Sequence, residues 1–360
     1  MKSGLEDVVA AETVLSDVDG KNGRLIVRGV SLDDLVAGSR YEDVLELLFD
    51  GFFAGAAPLA AQLGAARVEV FAHLASADAA LLRLPPVEAM RALLARVGDG
   101  DDLASALRLV AAPAVFTAGL LRLKDGRAPL APDPALSHAA DTLRMVTGSM
   151  PSAQQVAALD RYLVTVADHG LNASTFAARV VASTQAGLTS SVLAALSALK
   201  GPLHGGAPGP VLDMLDAAGS PASAPAWLEG ALANGERLMG FGHRVYRVRD
   251  PRADALKGAV RGLASSGAID PARLALAEAV EAAALDLLKR KKPDRPLDTN
   301  VEFYTALLLE ALGFPREAFT CVFAMGRVGG WIAHAREQAL DGRLIRPMSI
   351  YVGPRADVAA

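Results

Sequence analysis

The stretch LMGFGHRVYRVRDPR, from Leu238 to Arg252, sets one imidazole, His243, directly behind a Gly-Phe-Gly and follows it with Arg244, Arg247, Arg249 and Arg252. An imidazole gives or takes a proton near neutral pH, and a guanidinium grips a carboxylate through paired N–H groups, so the combination suits a small anionic substrate. A solvated basic loop is the competing reading, and Arg244, Arg247 and Arg249 each fit it as plain surface charge. Arg252 fits it less well. Asp250 and Pro251 have the form of a helix N-cap and first helical residue. Arg252 then falls in the first turn, where the helix dipole disfavours a cation unless an anion offsets it. The Gly-Phe-Gly has neither a preceding strand nor the full spacing of a dinucleotide-binding fingerprint.

Three other stretches carry candidate chemistry. In KGPLHGGAPG (200–209), glycines around His204 let a ligand approach the backbone. A helix starting near Pro210 would keep that imidazole neutral and able to donate to a developing oxyanion. Taken alone, the stretch reads sooner as a turn with an incidental histidine. LDTNVEFYTALLLEALG (297–313) is a helix apolar nearly all round, with Glu302 on the face of Ala306 and Leu309. A carboxylate buried there is a candidate base. Thr299-x-x-Glu302 is also a capping box, and from this stretch alone capping is the preferred reading. In AMGRVGGWIAHAREQ (324–338), Arg327 sits within an apolar, glycine-rich helix and needs an anion, either from the protein or from a ligand. Arg346, in RLIRPMS, is ambiguous by itself.

Helix punctuation surrounds these stretches. Asp133-Pro134, Asp250-Pro251 and Asp270-Pro271 each read as N-cap and first turn. SLDD at Ser31 resembles a capping box, Pro85-Pro86 opens a helix that runs towards Gly98, and Gly201 closes the helix 191–201. KRKK (289–292) suits a helix C-terminus. Strand signals are confined to a hairpin over 17–29, with Asn22-Gly23 in the turn; 343–353 reads as an extended tail. The fold is therefore expected to be mainly α. Loops at 205–211, 217–226 and 289–298 bracket a candidate second domain of about 100 residues.

The 360-residue length allows about two domains. A chain 52% apolar but only 5% aromatic, rich in Ala and Leu, favours helix. Net charge −4 offers no electrostatic case for nucleic acid, and the single cysteine, Cys321, rules out an internal disulfide framework. The histidines lack metal-site spacing. DVDG at Asp17 begins like a calcium loop, but its twelfth position is Arg28. Charge interrupts both the N-terminus and the apolar stretch 177–199, so no signal or membrane segment is expected, and the location is expected to be cytoplasmic.

GLEDVVAAET, DPALSHAADTL, ADHGLNASTFAARVVAST, LKGPLHGGA, MGFGHRVYRVRDPRA, NVEFY and RLIRP, in this order and over roughly Gly4 to Gly353, resemble the citrate synthase family, including its 2-methylcitrate synthase branch. The resemblance implies an all-α homodimer with a large domain (1–206 and 309–360) and a small domain (207–308). It implies condensation of an acyl-CoA with oxaloacetate and release of free coenzyme A. Coenzyme A enters as a thioester co-substrate, and no metal or other bound cofactor, nucleic acid or membrane is involved. It assigns His204 to the thioester oxygen, His243 to the oxaloacetate carbonyl and Glu302 to removal of the methyl proton. It assigns His169, Arg252 and Arg327 to oxaloacetate, and Arg346 to the partner's site. Arg247 would meet coenzyme A phosphate, and the Gly240-Phe241-Gly242 backbone would line the thioester arm.

Three positions depart from the pattern. Glu302 stands where the family has aspartate, Val166 where it often has histidine, and Pro208 where it usually has asparagine. Acetyl-CoA and propionyl-CoA differ by one methylene, worth only ~1–3 kcal/mol of discrimination. Citrate synthase is the leading reading and 2-methylcitrate synthase the second. A weakly catalytic or non-catalytic paralogue that binds coenzyme A or oxaloacetate is the third, and it rests on Glu302.

Overall fold

A computed structural model describes Leu5 and residues 8–205, 208–243, 245–295 and 297–354, without the side chain of Pro208. Arg244, read above as surface charge, and the Pro208 side chain fall outside this set. Three short antiparallel strands open the chain: β1 (Ser16–Asp19), β2 (Arg24–Val27) and β3 (Val30–Ser31). Ser16 pairs with Val27 and Asp19 with Arg24, so the connection is the four residues Gly20–Gly23. Asp19 accepts from the Lys21 and Asn22 amides and from Asn22 Nδ2, which spends the calcium-like motif on the turn.

Helices make up nearly all the remaining regular structure, as the Ala- and Leu-rich composition requires. The first ten are α1 (Leu32–Gly38), α2 (Tyr41–Phe49), α3 (Ala60–Phe71), α4 (Ala79–Leu82), α5 (Pro86–Leu94), α6 (Leu103–Lys124), α7 (His138–Thr147), α8 (Ala153–Val166), α9 (Ala173–Ala182) and α10 (Leu188–Leu199). They are followed by α11 (Pro208–Ala218), α12 (Ala224–Ala233), α13 (Pro251–Ser265), α14 (Pro271–Lys291), α15 (Val301–Ala311) and α16 (Phe319–Asp341). The fold is all-α with a minor hairpin. Helix α6 is long and apolar enough to cross a membrane, but most of it is buried against α3, α5, α7 and α16, as a core helix.

The apolar stretch 177–199 is divided between α9 and α10 by a turn containing Gln185 and Gly187. Asp99 caps α10 by accepting from the Thr189 and Ser190 amides. Arg179, the charge inside that stretch, is buried and pairs with Glu337 and Gln338 of α16. Helix α16 runs against α8 and α9 at close range. A Cβ at Gly326 would lie 2.4 Å from Val166 Cγ2, and one at Gly330 2.3 Å from the Ala167 carbonyl oxygen. This is the physical reason for the glycines around Arg327.

Several local expectations need correction. Asp133-Pro134 begins a turn, and α7 starts four residues later with Ser137 as its N-cap. Asp133 instead accepts from the Ala135 amide within that turn. The loops read at 205–211 and 217–226 are partly helical, because α11 starts at Pro208 and α12 at Ala224. Proline costs a helix little in its first turn, where the missing N–H has no helical partner. Asp250 and Asp270 do cap α13 and α14, and Lys289, Arg290 and Lys291 close α14.

Candidate active site

Asp250 accepts from the Arg252 amide and holds the Arg252 guanidinium through Nε (3.0 Å) and Nη2 (2.8 Å). The cap residue itself is therefore an anion that offsets the cation in this first turn. Arg252 is buried, and its Nη2 lies 3.2 Å from His243 Nε2. His243 Nδ1 accepts from the Val245 and Tyr246 amides, both at 3.0 Å. In the neutral ring the hydrogen then sits on Nε2. Burial first, then Arg252, pulls the His243 pKa down to about 4, so the ring is neutral at physiological pH. Two donor nitrogens, His243 Nε2 and Arg252 Nη2, thus lie side by side, and His243 Nε2 has no acceptor among the described residues. A carbonyl or carboxylate oxygen is the group that satisfies both.

His169 completes this corner. Its ring is 5.7 Å from that of His243, and its Nε2 is 3.2 Å from the Tyr246 hydroxyl. Burial, then the charges of Arg252 and Arg327, hold its pKa well below the ordinary value. Arg327 is 1% exposed. Its Nε donates to the Val166 carbonyl, its guanidinium lies over the Phe323 ring, and its Nη2 has no hydrogen-bond partner among the described residues. Burial lowers its pKa to about 10, with Asp168 acting in the opposite direction. A buried guanidinium with an unfilled donor is suited to a ligand carboxylate.

His204 lies beside Ser174, with Nε2 to Oγ at 2.8 Å. Ser174 also accepts from Trp331 Nε1 at 3.1 Å and donates to Asn172 Oδ1 at 2.7 Å. Burial, then Arg327, lowers the His204 pKa to about 4. The ring is neutral, as expected, but the helix-dipole argument is replaced by desolvation and a nearby guanidinium.

Glu302 does not form the capping box. Asn300 is the N-cap of α15 and accepts from the Glu302 amide, while the Thr299 hydroxyl donates to Glu281 at 2.8 Å. The Glu302 side chain is left without a capping role, and burial raises its pKa to about 7 against the pull of Arg237 and Arg252. The segment Gly240–Gly242 is laced to the same cap. Gly242 N donates to Asp298 O, Asn300 N to Gly240 O and Asn300 Nδ2 to Gly242 O. Gly240 and Gly242 have φ of +84° and +80°, and a Cβ on Gly240 would lie 2.9 Å from the Phe303 side chain. Local geometry is thus enough to require both glycines. Arg247 is exposed beside the hairpin, its amide donating to Gly20 O. Arg346 is exposed on the C-terminal tail, and its side chain makes no hydrogen bond or ion pair with these groups among the described residues.

The citrate synthase family model, described as "Citrate synthase, C-terminal domain", matches residues 4–348. The chain belongs to the citrate synthase family. A citrate synthase of Haloferax volcanii is 37% identical over 99% of this chain and 96% of its own length. A 2-methylcitrate synthase of Mycobacterium tuberculosis is 36% identical over 98% and 91%. A solved citrate synthase from Thermoplasma acidophilum, in ternary complex with carboxymethyl coenzyme A and oxaloacetate, superposes with a TM-score of 0.86. It is 29% identical, and the match covers 100% of this chain and 98% of that one. The protein is a citrate-synthase-type condensing enzyme.

In this family member, Val166 is buried against Gly326 while its carbonyl holds Arg327. Sequence reasoning did not single out Ser174, Tyr246 or Asn172. They lie inside quoted motifs, but a hydroxyl or amide in a motif carries no signal until its partner across the fold is known.

Proposed function

We propose that this enzyme condenses acetyl-CoA with oxaloacetate to give citrate and free coenzyme A. The observation that carries the reading is Glu302, a half-buried carboxylate with no cap to serve, near Arg252, whose pKa desolvation raises to about 7. In this reading Glu302 takes a proton from the methyl group of the thioester. The electron pair moves into the carbonyl, where His204 donates to the growing oxygen charge. The resulting carbon attacks the oxaloacetate ketone; His243 Nε2–H passes a proton to that oxygen and regains one, through water, from protonated Glu302, so both groups return to their starting states. Arg252, Arg327 and His169 hold the two carboxylates. Water then cleaves the thioester, and the thiol leaves with a proton.

Presenting Nδ1–H of His204 to the substrate requires the Ser174 hydroxyl to turn from Asn172 Oδ1 to His204 Nε2. These acceptors lie 2.7 and 2.8 Å from it, so the change is one bond rotation and a tautomer exchange. Arg247 would reach coenzyme A phosphate from its exposed position, and the Gly240–Gly242 segment would flank the thioester arm. We further read the protein as a cytoplasmic homodimer in which Arg346 enters the partner's site. The proposed boundary between the domains, at 308/309, falls within α15, so this helix would carry the base at its start and join the large domain at its end.

The test is coenzyme A thiol release from purified protein, with and without oxaloacetate, using acetyl-CoA and propionyl-CoA in parallel. The expected result is oxaloacetate-dependent release with the higher kcat/KM for acetyl-CoA. A higher value for propionyl-CoA assigns the protein to the 2-methylcitrate branch. No release with either thioester overturns the reading.

A further inference from the structure

Glu281, on α14, is 4% exposed and makes no part of the proposed chemistry. Its Oε1 accepts from Thr299 Oγ1 at 2.8 Å and from both terminal nitrogens of Arg249 at 3.2 Å. Its Oε2 accepts from Lys257 Nζ at 2.7 Å and from the Tyr304 hydroxyl at 2.5 Å. Burial pushes this carboxyl up, but the bonds from Lys257, Tyr304 and Thr299 outweigh it and hold the group below the ordinary range. A buried carboxylate saturated with donors stays ionised and anchors whatever supplies them.

The donors are placed with respect to the site. Arg249 stands three residues before Arg252. Thr299 stands three before Glu302, and Tyr304 two after it. Thr299 also pairs with Phe241 in an isolated antiparallel bridge, two residues before His243. Three segments that carry proposed substrate groups are therefore tied, directly or through that bridge, to one carboxylate. Thr299 and Glu302 have the sequence of a capping box, but α15 begins one residue later, with Asn300 as its N-cap.

We infer that Glu281 is a positioning residue for the condensation: by accepting from Arg249, Thr299 and Tyr304 it clamps the Arg252 and Glu302 segments together and fixes where the Glu302 carboxylate stands relative to Arg252 and His243. The inference rests on Glu302 being the base proposed above.

Steady-state kinetics of Thr299→Val and Thr299→Ser test this in the full-length protein. Valine keeps the shape and loses the donor, and serine keeps the donor. Thr299→Val is expected to lower kcat about tenfold or more, as small misplacements of a base do, with KM for oxaloacetate within about twofold of wild type. Its acid limb in the kcat–pH profile should shift, and Thr299→Ser should restore both. Glu281→Gln is expected to lose kcat and also raise KM for oxaloacetate, since Arg249 is released with Thr299. Wild-type kcat and pH limb in folded Thr299→Val overturn the inference, as do equal losses in the valine and serine variants. If Glu281→Gln does not fold, the Thr299 pair still decides. Failure of the base assignment shows separately, as turnover retained by Glu302→Gln.

Discussion

A carboxylate serves as a base at neutral pH only if something raises its pKa towards the working pH, and at Glu302 that cause is burial. The consequences for pH can be signed. Catalysis needs the ionised form, so kcat should rise along an acid limb near pH 7. Stability moves the other way, because the folded pKa, about 7, lies above the ordinary 4.5. Below about pH 4.5 both folded and unfolded chains hold the proton; between there and about 7 the unfolded chain has released it and the folded one has not, so Glu302 loses stabilising effect as pH rises. Glu302→Gln should cut kcat by about 10²–10⁴-fold, and its melting temperature should fall less than that of wild type across this window. Thiol release and thermal melts at stepped pH measure the two together. A variant that melts lower but turns over normally would return Glu302 to a structural role.

The start of α15 shows how one helix end can organise a site. Asn300 caps the helix through Oδ1 and reaches back through Nδ2 to Gly242 O, while Val301 N donates to Asp250 Oδ2. The cap therefore joins α15 to the His243 segment and to the N-terminus of α13. Replacing a side-chain cap costs about 1 kcal/mol, and Asn300→Ala should lose that much in denaturant unfolding together with a several-fold fall in kcat. Asn300→Asp separates the two roles. An aspartate caps equally well but cannot donate to Gly242 O, so stability should stay nearer wild type while kcat falls as in the alanine variant.

Arg346 lies on an exposed tail, and in the proposed dimer it acts on the site of the other subunit. Arg346→Gln and Glu302→Gln homodimers should each be nearly inactive in thiol release. Mixing them under conditions of subunit exchange should restore activity, because a mixed dimer contains one site with both wild-type groups. At full exchange of equal amounts about a quarter of all sites are intact, by the two-fold symmetry of such a dimer. No recovery, with exchange verified by mass, would place both groups in the same chain's site.

The all-α class, most helix ends near the site, and the motif set His204, His243, Arg252, Glu302 and Arg327 were legible along the chain. Helix propensity, N-caps and ordered motifs are local in sequence. The misreadings have non-local causes. Thr299-x-x-Glu302 satisfies every local requirement of a capping box, yet α15 starts one residue later with Asn300 as its cap, and the Thr299 hydroxyl donates to Glu281, eighteen residues away. Arg252 looked short of an anion because a cap aspartate was not expected to turn back onto the guanidinium. The tautomer of His243 is set by the amides of the next turn, while the neutrality of His204 is set by burial and Arg327. Hydrogen-bond partners and desolvation depend on what packs across the fold, and they set the protonation and placement of the groups legible in the sequence.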